Sequence, residues 1–532
     1  MTKQDLSSLA DLSPFELKDK LIDIASSSAD HMMLNAGRGN PNFLATLPRR
    51  AFLRLGEFAM HEAERSYAYL NSGFGGLPER DGIVDRFEIY AQSHADAPGV
   101  GFVQAAMTYV KDQLGIARDE FLLEMVAAFL GCNYPVPPRM LVNSEKIVKA
   151  YLAEEMYGSR PRGGSFSLFA TEGGTAAMTY VFQTLRVNGL IHLGDKIALG
   201  TPIFSPYLEI PPLPDYDMAV IDVRMDEASD WQIPTSELEK LMDPAIKVLC
   251  VVNPSNPPST KMADETLAAL ADLVDDKRDD LMIITDDVYG TFADDFVSLF
   301  AVCPRNTLLV YSFSKYFGAT GWRLGAMALH DDNVFDDALG ALPEDVKVGL
   351  DTRYSSLTTT PRDIRFIDRL VADSRAVALN HTAGLSTPQQ LQMSLFALHG
   401  LMDRDHRYKD AAKHLIRDRY RTLCLHIGIE PVRGPNEVDY YSLIDLQQLA
   451  GQLYGSDFAA WFTNGNKGTD FLFRLADKTG VVLLPGKGFE VVDASARVSL
   501  ANLTEADYAA IGGFTREVLD SYYEDYKKET GG

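Results

Sequence analysis

Several short apolar runs, each breaking off into polar residues at its carboxyl end, set the frame of this chain. Lys247-Val-Leu-Cys-Val-Val252 runs into Asn253-Pro254-Ser255-Asn256-Pro257-Pro258-Ser259, Leu281-Met-Ile-Ile284 into Thr285-Asp286-Asp287-Val288-Tyr289, and Asn306-Thr-Leu-Leu-Val-Tyr311 into Ser312-Phe313-Ser314-Lys315. Runs of four to six branched and aliphatic residues bounded by turn formers predict buried strands. Upstream, Ser167-Leu-Phe-Ala170 leads into Thr171-Glu172-Gly173-Gly174-Thr175, and Asp195-Lys-Ile-Ala-Leu-Gly200 into Thr201-Pro202-Ile203-Phe204. These read as a strand, glycine turn and helix start, and as a further strand ending at an aromatic. Strands of this kind belong to an open α/β sheet, whose ligands sit beyond the strands' carboxyl ends.

Helical spacing marks two other stretches. From Pro388 through Leu423, Gln389, Leu391, Leu395, Leu398, Ala411, Ala412, Leu415 and Ile416 follow a helical period and predict a long bridge between two parts of the molecule. Between Arg86 and Pro138, Phe102, Ala105, Met107, Val110, Phe121, Leu122, Met125, Val126 and Phe129 predict helices with an apolar stripe. Core packing is the commoner meaning of such a stripe; a cover over a site or a subunit contact is the alternative.

At 532 residues and 46% hydrophobic content the chain can bury extensive cores and exceeds one compact domain. The division expected is 1–55 as an N-terminal arm and part of a small domain, 56–400 as a large domain with the helical insertion at about 86–138, and 401–532 as the rest of the small domain. A net charge of −24 argues against nucleic acid or an anionic membrane as partner, and no apolar stretch approaches a membrane span. Cys132, Cys250, Cys303 and Cys424 lack C-x-x-C spacing and Met1-Thr-Lys-Gln-Asp-Leu6 lacks a signal h-region, so a reducing cytoplasm is expected. No metal-ligand spacing is present.

The candidate chemistry lies where the strands end. Ser312, Lys315 and Arg323, the last inside Thr320-Gly321-Trp322-Arg323-Leu324-Gly325, supply an amine and the donors of an anion site. Lysine suits imine formation with an aldehyde because its pKa yields to desolvation, and the arginine fork suits a phosphate. Pyridoxal phosphate (PLP) requires both. Asp286 is the group to pair with a pyridinium nitrogen, Asn256 and Tyr289 can bond a phenolic ring oxygen, and Phe204 can stack on a ring face or belong to the core. Gly174 and Thr175 open a helix whose positive end attracts an anion.

This set, with Leu484-Pro485-Gly486-Lys487-Gly488-Phe489 and Ala496-Arg497-Val498-Ser499, resembles the fold-type I PLP enzymes of the aspartate aminotransferase superfamily. The resemblance implies a large domain with a mostly parallel central sheet flanked by helices, plus a smaller α+β domain. It implies that Lys315 joins the cofactor, Asp286 holds the ring nitrogen, Asn256 and Tyr289 hold the ring oxygen, and Gly174, Thr175, Ser312 and Arg323 hold the phosphate. Arg497 would bind the substrate's α-carboxylate, with Asn256 beside it. Active sites of the superfamily lie at a dimer interface, and Tyr67 or Tyr69 is the candidate to reach the partner's phosphate.

Two departures narrow the resemblance. Aspartate aminotransferases carry an arginine for the distal carboxylate shortly before a Ser-Asn-Pro segment, and Ala378-Leu379-Asn380-His381-Thr382-Ala383-Gly384-Leu385-Ser386-Thr387-Pro388 has none. Arg38, in Leu34-Asn35-Ala36-Gly37-Arg38-Gly39-Asn40-Pro41, is the candidate substitute; His381 and Arg375 are weaker ones. With the insertion and the length, the chain is most similar to the aspartate 4-decarboxylases. That resemblance implies conversion of L-aspartate to L-alanine and carbon dioxide, lost from Cβ once the imine double bond lies on Cα. Aspartate transamination is the implied side activity, a 2-oxo acid the reactivator, and a homo-oligomer of dimers the assembly. The rival is a plain class I aminotransferase. A transcription regulator with an idle domain of this kind would carry a helix-turn-helix, and none is evident before Arg38.

Overall fold

The structure is a computed structural model, and it describes residues 14–27, 32–70, 73–133, 139–161, 163–375, 384–463, 467–491 and 494–531. Twelve strands are formed among them: β1 (Leu34–Asn35), β2 (Phe166–Thr171), β3 (Lys196–Thr201), β4 (Ala219–Arg224), β5 (Ile246–Val252), β6 (Met282–Asp286), β7 (Thr307–Ser312), β8 (Gly325–His330), β9 (Tyr441–Asp445), β10 (Val481–Val482), β11 (Leu484–Pro485) and β12 (Ser495–Ser499). Seven make the main sheet, in the order β2-β8-β7-β6-β5-β3-β4. β8 runs antiparallel to both neighbours and the other pairs are parallel, so the sheet is mostly parallel, as expected.

The unbroken apolar runs follow from burial on both faces. Along β5, Val248, Cys250 and Val252 join one hydrophobic cluster while Leu249 and Val251 join another, the two-residue period sending alternate side chains to opposite sides. Every residue of β6 and β7 is buried. The helix Gly174–Val187 packs on β7 and β8, starting where Gly173 adopts φ 91, a backbone state that glycine enters freely.

A three-stranded antiparallel sheet, β11-β12-β9, and a parallel pair, β1 with β10, stand apart from the main sheet. The β1–β10 pair carries the chain's early segment to its late one. Ser499 N then donates to Ala36 O (2.7 Å) and Asn42 N to Ala501 O (2.8 Å), stringing residues 36–42 along the end of β12.

The stretch expected as one long bridge is two helices, Thr387–Met402 and Arg407–Ile427. Asp403 separates them by accepting from the backbone N–H groups of Arg407, Tyr408 and Lys409, which satisfies the free donors of the second helix. The insertion forms helices Ile83–Ser93, Val100–Leu114 and Arg118–Leu130, and its stripe faces inward: Phe102, Met107, Val110, Phe121, Leu122, Met125 and Val126 are buried. Ala105 is exposed and Phe129 half-buried. Arg118–Leu130 packs on Thr46–Ser66 and Thr387–Met402, so the stripe is core. The expected divisions after 55 and 400 fall within Thr46–Ser66 and Thr387–Met402, each a continuous helix. No helix among the described residues is long and apolar enough to cross a membrane.

Candidate active site

A cavity of about 210 Å³ opens at the carboxyl ends of β5, β6 and β7. Gly174, Thr175, Phe204, Asn256, Asp286, Tyr289, Ser312, Lys315, Arg323 and Arg497 all line it, as the sequence led one to expect. Parallel pairing of β5, β6 and β7 is what gathers the residues that follow each strand at one end.

At one end the backbone turns through Gly173 into the helix Gly174–Val187. Arg323, at φ 55, donates from Nη1 to Thr320 O (3.0 Å) and from Nη2 to Glu172 O (3.3 Å). Both of these hydrogen bonds go to neutral carbonyls, and no ion pair engages Arg323 among the described residues. Ser312 Oγ donates to Ser314 Oγ (2.8 Å), and Ser314 and Thr320 also line this end. A helix N-terminus, hydroxyls and a guanidinium form an anion cradle.

The floor is Asp286, 8% exposed, which accepts from Val288 N–H (3.3 Å) and from the Tyr207 hydroxyl (3.4 Å). Burial pushes its carboxyl up to about 6 from an ordinary 3.8, against lowering by Val288, Tyr207 and the charge of Lys315. Asp287 is fully buried behind it, and burial raises it to about 7. Tyr207, on the short helix Pro206–Glu209 after β3, was not anticipated; its only signal was a second aromatic close to Phe204. Phe204 is half-buried, lines the cavity and packs against the core.

The opposite end is built by the smaller sheet and the early loop. Arg497, on β12 and 4% exposed, donates from Nη1 to Asn256 Oδ1 (2.9 Å) and from Nη2 to Gly37 O (2.8 Å), while its buried Nε has no partner among the described residues. Its guanidinium lies 4.2 Å from the Tyr441 ring centre and 4.6 Å from that of Phe489, an aromatic sandwich that fixes the fork's plane. Lys315 Nζ donates to Gly39 O (2.9 Å), which also accepts from the Tyr440 hydroxyl (2.9 Å).

Tyr441 is a lining residue that sequence reasoning missed. Its hydroxyl shares a 2.9 Å hydrogen bond with Tyr289. Burial raises the pKa of this phenol, but Lys315, Arg497 and the Tyr289 hydrogen bond together outweigh it and leave it below the ordinary 10. A tyrosine pair entering an alternating strand, Tyr440-Tyr441-Ser442-Leu443-Ile444, was the available signal.

Other candidates lie elsewhere. Arg38 is exposed and does not line the cavity, although Gly37 and Gly39 on either side reach Arg497 and Lys315. Arg375 is buried, which lowers its pKa, and it too lies off the cavity wall. His381 lies outside the described residues. Tyr67 and Tyr69 are 41% and 79% exposed. No cluster of His, Cys, Asp and Glu suited to a metal ion is present among the described residues.

Comparison with known proteins places the chain among aminotransferases. The chain is 57% identical to the bifunctional aspartate aminotransferase and L-aspartate beta-decarboxylase of a Pseudomonas species, over 98% of this chain and 99% of the relative. It is 32% identical to the valine–pyruvate aminotransferase of Mycobacterium tuberculosis over 25% of this chain and 34% of that one. Among solved structures it is similar in fold to the aspartate aminotransferase of Thermus thermophilus with maleate, at a TM-score of 0.55 and 16% identity, over 97% of this chain and 99% of that one. The profile of the family described as aminotransferase class I and II matches residues 167–511, and the chain belongs to that family.

Proposed function

We infer that the protein is a PLP-dependent L-aspartate 4-decarboxylase, forming L-alanine and carbon dioxide, with aspartate aminotransferase activity as a side reaction. The residues present suit PLP. Asp286 is a buried carboxyl with no ion pair among the described residues, a partner that a protonated ring nitrogen would supply, and Arg323 with the start of Gly174–Val187 would hold the phosphate. Tyr289 and Asn256 would bond the ring oxygen, and Phe204 would lie on the ring's face. When bound, PLP supplies an aldehyde carbon for the substrate's nitrogen and an electron-accepting ring conjugated to it.

The protein's own groups then have distinct tasks. Arg497, its plane fixed between Tyr441 and Phe489, takes the α-carboxylate bidentately and orients the Cα–H bond toward Lys315. Lys315 Nζ is the base that would remove the Cα proton. Asp286 keeps its partner nitrogen protonated, and the Gly37–Gly39 loop excludes water from above.

The observation that carries the decarboxylase reading is the count of cations. Among the described residues the cavity wall holds Lys315, Arg323 and Arg497, each with a task, and no further cation for the distal carboxylate. A guanidinium about 4 Å from that carboxylate would hold it by roughly 4 kcal/mol at an effective dielectric near 20. Losing that attraction as the carboxylate became neutral would slow its departure about a thousandfold. A carboxylate left unclamped departs more readily. The activities named for the Pseudomonas relative support the same reading.

L-Aspartate is the substrate on this reading and a 2-oxo acid restores any cofactor left in its amino form. The exposed Tyr67, Tyr69, Leu70, Phe74 and Leu77 suit a subunit contact, in keeping with a homo-oligomer of dimers. Incubation with L-aspartate should release alanine and carbon dioxide in equal amounts. Oxaloacetate or pyruvate as the dominant product would favour a plain aminotransferase instead.

A further inference from the structure

Decarboxylation at Cβ needs a proton that transamination does not. When the bond to the departing carboxylate breaks, its electron pair is left toward Cβ, and a C–H bond must form there before the product is alanine. Transamination moves one proton between the two carbons flanking the substrate nitrogen, a task within reach of Lys315 Nζ alone. A second proton-bearing group at the substrate end of the cavity is what distinguishes the two outcomes.

Few groups qualify. Ser312, Ser314, Thr175 and Thr320 belong to the anion cradle, and Asp286 lies on the floor with Tyr207. At the other end, beside the Asn256 amide and the Arg497 guanidinium, which are too weakly acidic and already assigned, the described lining residues with a hydroxyl proton are Tyr289 and Tyr441. Tyr289 is assigned to the ring oxygen. Tyr441 has no task yet, and it is held between the amine that serves Cα and the guanidinium that holds the α-carboxylate. A methyl group built on Gly39 would overlap the Tyr441 hydroxyl and stand 3.2 Å from Lys315 Nζ, so hydroxyl and amine border the same small volume. The ring is clamped under Arg497 at 4.2 Å, which fixes where the hydroxyl points.

We propose that the Tyr441 hydroxyl delivers the proton that Cβ acquires as carbon dioxide leaves. The proposal rests on the decarboxylase reading and adds to it the residue that completes alanine. The electron pair left at Cβ by the departing carboxylate becomes a C–H bond, and the O–H bond of Tyr441 breaks to leave a phenolate. The Tyr289 hydroxyl or the Lys315 ammonium hands a proton to that phenolate, and solvent replaces it. One proton is consumed for each carbon dioxide released, and nothing is oxidised. The groups facing Tyr441 are Lys315, Arg497, Tyr289 and Tyr440, two cations and two neutral phenols. Burial raises the pKa of Tyr289 and Tyr440 well above the ordinary value, whereas Tyr441 is lowered. Of the three packed phenols it releases a proton most readily.

Tyr441→Phe keeps the ring beneath Arg497 and removes only the proton. In the PLP-loaded variant, alanine formation from L-aspartate should fall by about 100-fold or more, while exchange of the Cα hydrogen with heavy water and amino transfer to a 2-oxo acid persist. Alkaline titration of the cofactor-free proteins, followed by tyrosinate absorbance, should show one phenol titrating below 10 in the wild type and absent from the variant. Alanine formation at the wild-type rate would overturn the proposal, and so would equal losses of alanine formation and Cα exchange. Should Tyr441→Phe not fold, a fluorotyrosine at position 441, of similar shape and greater acidity, should move the pH profile of alanine release to lower pH; an unmoved profile would overturn it. Failure of the decarboxylase reading shows separately, as wild-type protein that exchanges Cα hydrogen yet releases no carbon dioxide, and it removes this step as well.

Discussion

Arg497 Nη1 donates a 2.9 Å hydrogen bond to Asn256 Oδ1, tying the strand β12 to the loop that follows β5 in the main sheet. The same guanidinium reaches Gly37 O and lies between two aromatic faces. Lysine has neither the fork nor the flat face to keep these contacts. Arg497→Lys should weaken binding of a dicarboxylic substrate analogue by about 10- to 100-fold, the worth of one or two charge-assisted hydrogen bonds. Equilibrium titration with such an analogue checks it, and unchanged affinity would remove Arg497 from the substrate site.

Asp286 sets a pH dependence opposite in sign to that of most carboxylates. Its folded value of about 6 lies above the ordinary 3.8, so between the two the folded chain keeps a proton that the unfolded chain has lost. Stability is full below that window, falls as pH rises through it, and above it stays reduced by on the order of 3 kcal/mol. Cofactor-free Asp286→Asn should therefore unfold at a higher temperature than the wild type at neutral pH, with the difference closing near the acid end of the window. Asp287, raised mainly by burial and in part by the charge of Asp286, loses that repulsion in the variant, which shifts stability in the same direction. The variant should bind PLP more weakly. Identical unfolding temperatures at neutral pH would contradict the assignment.

Gly39 has an ordinary backbone conformation, yet a side chain there would overlap the Tyr441 hydroxyl and crowd Lys315 Nζ. Gly39→Ala should push the loop off the cavity, break the bond from Lys315 to Gly39 O, and lower turnover by about tenfold or more through loss of positioning. PLP should still bind, since Asp286 and Arg323 are untouched. Absorbance of the bound cofactor together with turnover separates the two effects; wild-type turnover would show the loop to be dispensable.

Gly173 combines φ 91 with a neighbour that leaves no room, since a Cβ there would overlap Arg323 Nη2. Gly173→Ala should destabilise the protein by about 1–3 kcal/mol and displace the Arg323 fork. PLP release during dialysis should be faster, and retention equal to the wild type would show that Arg323 is not needed for the phosphate.

Lys315, Asp286, Asn256 and Arg323 were legible because each follows or adjoins an apolar run, and the handover from buried strand to polar residues marks the ligand end of a parallel sheet. Arg497 was legible through the family resemblance alone. Tyr441 and Tyr207 were not legible. Their neighbours across the cavity come from segments more than a hundred residues away for Tyr441 and nearly eighty for Tyr207, and no local period records how the β9–β12–β11 sheet docks. Arg38 shows the converse: its loop was located correctly, but at one residue between two glycines the backbone turns the side chain outward. Asp403 likewise divided a continuous helical period that spacing alone read as one element.

The pairing of β1 with β10 orders events during synthesis. All seven strands of the main sheet have been made once residue 330 has emerged from the ribosome, yet the wall that carries Arg497 and the partner strand that anchors Leu34 are made last. Until then the early glycine loop has nothing to lie on, and Lys315 faces open water. A nascent chain thus carries every strand of the main sheet well before it has a workable reaction chamber, and termination after β8 and before β12 leaves it without Arg497 and the strand that holds it.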